Sequence, residues 1–148
     1  MKERIKTQRT DIAIINQEIQ IMKKVAGHEN LLSLREVYET SGSVILVIDY
    51  APGGQLFRRI LSKSSFSEAE ACHIIVQIVK GLKFLHAHGV VHRDIKPENI
   101  LVIDDDEGDT LLTIKVADFG LAKMIKETKA LKMLATDPEQ EHEKLMET

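Results

Sequence analysis

The stretch His92-Arg93-Asp94-Ile95-Lys96-Pro97-Glu98-Asn99, with Asp118-Phe119-Gly120 downstream, constrains this chain more than anything else in it. Each half carries a carboxylate at a loop position. Phosphoryl transfer leaves a protein little covalent work; it needs a carboxylate to orient a hydroxyl, a cation near the moving group, and hard oxygen donors for magnesium. Asp94 is the candidate base and Lys96 the candidate cation. Asn99 and Asp118 offer the oxygen donors that magnesium takes alongside phosphate oxygens.

The order and spacing resemble the protein kinase family. The catalytic-loop pattern H-R-D-x-K-P-x-N is complete, and D-F-G follows after a hairpin-sized interval, as that family's layout requires. A lone D-F-G would be weak, whereas the two motifs in order are specific. Lys96 favours the serine/threonine branch, and the match resembles the calcium/calmodulin-dependent group, with checkpoint- and death-associated-type kinases among the closest in flavour. ATP and magnesium are the cofactors this resemblance implies, and a protein serine or threonine is the substrate.

A chain of 148 residues, 43% hydrophobic and 29% charged, reads as one globular unit long enough for a core, yet a complete kinase domain is substantially longer. A formal charge of −3 gives no global pull toward nucleic acid, and the short basic opening reads as a solvated approach to a helix. Cys72, the single cysteine, has no internal partner for a disulfide, which fits a reducing compartment. No apolar run approaches a membrane span and no apolar region follows the N-terminal charges. The expectation is a cytoplasmic or nuclear chain with no membrane or nucleic-acid partner.

From Thr10 or Asp11, Ile12, Ile15, Ile19 and Met22 recur at helical spacing until Gly27. The resemblance makes this helix C of the small lobe and matches Glu18 to the glutamate that pairs with the ATP-binding lysine of the third strand. No V-A-x-K pattern precedes the helix in the 148 residues, and Lys2 and Lys6 read as surface lysines. Residues 34–38 and 44–48 are two β-rich runs around Ser41-Gly42, matching the fourth and fifth strands. Asp49-Tyr50-Ala51 is then the hinge, with Asp49 and Ala51 as the backbone contacts to adenine and Ile48 guarding the rear of the pocket.

Residues 55–61 read as a short amphipathic helix, and Ser67 opens a longer one with Glu70 three residues on, a capping box. Ile74, Ile75, Ile78, Val79, Leu82 and Leu85 make its apolar stripe and Gly89 ends it. His73, His86 and His88 show no metal-ligand pattern and read as packing or surface residues. Residues 100–103 and 111–116 are strand-like runs around an acidic turn, Asp104 to Asp109, that lacks the spacing of a calcium loop. After Lys123, residues 124–134 read as helix, and from Asp137 onward five acidic residues face one lysine, so residues 125–148 are expected to be a helical then disordered acidic tail.

The match covers about residues 11–124 and implies a truncated, α+β, protein-kinase-like fold: a partial kinase domain over residues 1–124 holding helix C, strands four and five, the hinge, helices D and E, the catalytic loop and D-F-G. Met22, Leu34, His92 and Phe119 fall where kinases stack an apolar column between the lobes. Leu56 and Leu101 fall under the adenine, and Glu98 joins them among the nucleotide-contacting positions. Arg93 falls where kinases pair an arginine with a phosphorylated residue, for which Thr128 and Thr136 are the nearby sites. The 148 residues hold no G-x-G-x-x-G and no A-P-E, so the expectation is a kinase fragment inactive alone. The alternative is a catalytically silent module that engages another kinase or a chaperone.

Overall fold

The computed structural model describes residues 3–6, 12–63, 65–103 and 111–125. Two regions meet along a buried seam, in an α+β arrangement. In the first, strands β1 (Glu3–Lys6), β2 (Leu34–Glu39) and β3 (Val44–Ile48) form an antiparallel sheet in the order β1-β3-β2, against which helix α1 (Ile12–Lys24) packs. The helix follows from its pattern: Ile15, Ile19 and Met22 recur on one face and are buried, and Gly27 at φ 94° supplies the left-handed turn that ends it.

The second region holds α2 (Leu56–Lys63), α3 (Glu68–Ala87), the sheet β4-β6-β7 (Gly54–Gln55, Ile100–Val102, Ile114–Val116) and the pair β5-β8 (Val90–Val91, Lys123–Met124). The capping box at the head of α3 forms as its sequence requires, with Ser67 and Glu70 each receiving the other's backbone amide. At the far end His88 closes the helix and Gly89 at φ 65° turns the chain into β5.

The seam is made by the turn after α1. Leu32 N donates to Val116 O at 2.9 Å and Val116 N to Asn30 O at 2.8 Å, so β7 is fastened to the chain leaving α1. The main core runs through it, joining Ile21, Met22 and Val25 of α1 to Leu85 of α3, Ile100, Val102, Ile114 and Val116 of the sheet, and Phe119. Asn30 and Gln77 are buried in the same place, where Asn30 Nδ2 donates to Gln77 Oε1 at 3.1 Å and Gln77 Oε1 accepts from Ile114 N at 3.0 Å. That network satisfies the Asn30 amide nitrogen and the Gln77 side chain, which would otherwise be costly to bury, while Asn30 Oδ1 is buried without a hydrogen-bond partner among the described residues.

Four details depart from the sequence reading. Residues 3–6 are a strand paired with β3, Lys6 opposite Val44, rather than a solvated approach to a helix. Val90–Val91 and Lys123–Met124 pair as strands, so Met124 is not helical, and the rest of the 124–134 helix beyond Ile125 lies outside the described residues. The α2 helix starts at Leu56 and runs to Lys63. On α3, Ile74 and Leu85 are buried, but Ile75 and Val79 are more than half exposed, and Gln77 takes an inward position instead. The acidic turn and the tail, including Thr128 and Thr136, lie outside the described residues.

Candidate active site

The catalytic stretch leaves β5 at Val91 and is locked by its own hydrogen bonds. His92 is buried, its Nε2 lying 3.1 Å from Ala117 O, while Asp94 N donates to His92 Nδ1 at 3.3 Å. Those partners define the neutral tautomer with the proton on Nε2. Burial pushes the His92 pKa below its usual value, against the opposing effects of the Ala117 hydrogen bond and the Asp118 and Asp94 charges. Its ring stacks obliquely on Phe119, centroids 5.3 Å apart. Met22 and Phe119 share the main core, and Leu34 packs against it.

Asp94 is held from two sides. Lys96 Nζ donates to its Oδ2 at 2.8 Å, and Asn99 Nδ2 donates both to Oδ2 at 2.8 Å and to the Asp94 carbonyl at 2.9 Å. The Lys96 hydrogen bond, joined by that of Asn99 and the lysine charge, outweighs burial and holds the Asp94 pKa below its usual value; the same contact raises that of Lys96. A 3-10 turn over Pro97–Asn99 brings Asn99 inward, where Asn99 O accepts from Ala117 N at 2.8 Å. One bond therefore fixes the spacing between Asn99 and the residue before Asp118.

Asp118 sits at φ 64°, and its Oδ1 accepts from Gly120 N at 3.3 Å. Arg93, at φ 68°, is the other non-glycine residue of positive φ among the described residues. Two such positions flanking one site match the habit of strained backbone at places of chemistry. Arg93 Nε donates to Leu121 O at 2.7 Å.

A cavity of about 310 Å³ opens between the two regions, lined by Glu18, Met22, Leu46 and Ile48 above and by Glu98, Asn99, Leu101, Asp118 and Phe119 below. Its lining is mostly apolar, and its polar members are Glu18, Gln55 and Glu98 together with Asn99 and Asp118. Their oxygens are hard donors of the type magnesium prefers, and a cavity of this kind accepts a flat apolar base with a charged tail. Among the described residues no cluster of three or more His, Cys, Asp and Glu side chains is arranged for a metal. A metal ion here would therefore depend on ligand oxygens as well.

Not every expected residue lines the cavity. Leu56 is buried among the walls of a second, apolar cavity between α2 and α3 and is not among the residues that line the first. Asp49 and Ala51 also lie outside the lining. Asp49 instead forms an ionic knot: Arg35 Nε at 2.6 Å, Lys115 Nζ at 3.4 Å and Ser33 N at 3.2 Å all meet its carboxylate. Burial works against the Asp49 charge, but these donors prevail and hold its pKa low. Leu32, Leu46, Gln55 and Ala117 line the cavity without having been singled out. Leu46 was within reach, because strand period 2 puts it on the same face as Ile48.

Residues 1–139 match the protein kinase domain family. The chain is 40% identical over 129 residues to a probable myosin light chain kinase of Dictyostelium discoideum, covering 87% of this chain and 32% of that protein. It is 42% identical over 115 residues to a calcium/calmodulin-dependent protein kinase of Emericella nidulans, covering 77% and 28%. A calcium-dependent protein kinase of Oryza sativa subsp. japonica is 39% identical over 128 residues, covering 86% and 23%. The chain spans about a third of the length of the first curated relatives it matches. These names agree with the resemblance to the calcium/calmodulin-dependent group read from the sequence.

Proposed function

Because the chain belongs to the protein kinase family, we propose that it carries the catalytic stretch of a serine/threonine kinase, which moves a phosphoryl group from ATP to a protein hydroxyl. The observation that supports this best is that the Asp94 carboxylate accepts from both Lys96 and Asn99, and that Asn99 lines the same cavity as Asp118. In this reading Asp94 accepts a hydrogen bond from the substrate hydroxyl and aims it. Its low pKa suits it to orienting that group more than to removing the proton early. Lys96 brings positive charge to the same oxygen.

Asn99 and Asp118 would hold magnesium, which supplies charge neutralisation at phosphate oxygens. Ile48, Met22 and Leu101 would enclose the base, with Glu98 near its sugar side. The backbone of Asp49 and Ala51 would meet adenine at the cavity's edge, the Asp49 carboxylate being fully occupied elsewhere. Within the 148 residues no glycine-rich phosphate clamp is present, so the polypeptide of these residues alone is proposed to transfer phosphate very slowly or not at all.

Calorimetry with magnesium and ATP tests the site. Weak binding, with a dissociation constant of about a millimolar, that is lost in Asp118→Ala is the expected result. Tight binding indifferent to Asp118→Ala would mean that the nucleotide sits elsewhere.

A further inference from the structure

Two neighbouring carbonyls just past Asp118-Phe119-Gly120 are held by side chains from two other parts of the fold. Arg93 Nε donates to Leu121 O at 2.7 Å, and Gln17 Nε2 donates to Ala122 O at 2.9 Å across 105 positions of sequence. Immediately before them a 3-10 turn, Phe119–Leu121, closes with Ala122 N donating to Phe119 O at 3.0 Å. Immediately after them β8 pairs with β5, and Ile125 N donates to Gly89 O at 2.8 Å. The segment is thus pinned by α1, by the catalytic stretch and by β5.

Gln17 stands directly before Glu18, whose side chain lines the cavity together with Asp118. The helix comes within van der Waals reach of position 120. A Cβ there would meet Asp118 Oδ1 at 3.2 Å and Glu18 Oε2 at 4.0 Å. Any rotation of α1 that moves Glu18 must therefore pull Gln17 away from Ala122, and a rearrangement of residues 118–122 breaks the same contact from the other side.

We propose that Gln17 is a positioning residue: its side-chain amide latches α1 to the Ala122 carbonyl and so ties the placement of Glu18 to that of Asp118. The latch stands on geometry, while its bearing on phosphoryl transfer rests on the function proposed above. Gln17 is exposed, so its replacement leaves the core intact.

The test is amide hydrogen exchange at Ala122 and Ile125 in the 148-residue chain, with Leu32, bonded to Val116 O, as the reference. Gln17→Glu keeps the shape, removes the donor and sets a carboxylate against a carbonyl. Exchange at Ala122 and Ile125 should rise about threefold to tenfold, the worth of one such hydrogen bond, with Leu32 unchanged. Gln17→Lys regains a donor and should bring both rates back to within about twofold of the original, which a role in packing alone would not do. Equal rates in all three chains overturn the proposal, as do an effect that reaches Leu32 equally, an absence of rescue by lysine, and Ala122 and Ile125 amides that exchange at unstructured rates before any substitution. None of these results depends on nucleotide binding, which Asp118→Ala tests separately.

Discussion

Asn99 donates through one nitrogen to both the carboxylate and the carbonyl of Asp94, at 2.8 and 2.9 Å. A residue expected to hold metal is thereby also a brace for the expected base. Asn99→Asp keeps an oxygen donor for magnesium but replaces the brace with a like charge beside Asp94, which favours the protonated acid. The Asp94 pKa should rise from its depressed value, read by carboxyl NMR titration. An unchanged titration would mean that Lys96 alone sets it.

The helix face formed by Ile75, Val76 and Val79 is about half exposed in each residue, at 56%, 47% and 55%. Fully burying an aliphatic side chain of this size contributes roughly 1.5–3 kcal/mol, so three half-wet ones forfeit a sizeable part of a domain's margin of about 5–15 kcal/mol. The 148-residue polypeptide should bind a hydrophobic dye and self-associate. Ile75→Glu with Val79→Lys should reduce both while leaving the helical circular dichroism unchanged. A dye-silent, freely monomeric parent chain would contradict this.

Lys115 links the Leu31 carbonyl, at 3.1 Å, to the Asp49 carboxylate. In the solubility-improved background, Lys115→Met should lower stability by about 1–3 kcal/mol, because it strips donors from groups that are mostly buried. The urea midpoint measures it. Arg35→Met removes the far more exposed partner and should cost clearly less, about 0–1 kcal/mol.

Protonation of His92 should weaken the fold. Its two nitrogens are committed to Ala117 O and Asp94 N, and its pKa is lowered below 6.5 by burial. The unfolded chain takes up that proton first as pH falls. The stabilisation is then complete above about pH 6.5 and lost progressively down to the folded pKa. His28, also lowered by burial, adds in the same direction. A urea-midpoint series in His28→Gln isolates the His92 share, and His92→Phe in that background should flatten it.

The capping box at Ser67 and Glu70, the α1 stripe and the hairpin of β2 and β3 were legible because each is written in neighbouring residues. Asp94, Lys96 and Asn99 could be singled out because the family's motif fixes their spacing, and the structure brings the three together by hydrogen bonds. Strand β1 was not, since four residues of mixed charge carry little alternation and its partner β3 lies some forty positions away. The Asp49 knot and the burial of Gln77 were likewise invisible, since their partners Arg35, Lys115 and Ile114 are supplied by other elements. For Leu56 the sequence marks an apolar, inward position but not which of the two cavities it lines.

The most direct measurement is the initial rate of phosphate transfer to a serine peptide by this chain fused into a completed domain. A related kinase would supply the glycine-rich strand pair and lysine-bearing segment at the N-terminus, and an activation segment with the remaining helices after Lys123. The fusion should phosphorylate serine or threonine. Asp94→Asn in it should lower turnover by about 10²–10⁴-fold, the usual contribution of a positioned base, while the unfused 148 residues show no turnover for that substitution to change. A folded, ATP-binding fusion that stays inert, or turnover by the unfused chain that Asp94→Asn abolishes, would contradict the assignment of an intact catalytic stretch that needs the rest of the domain around it.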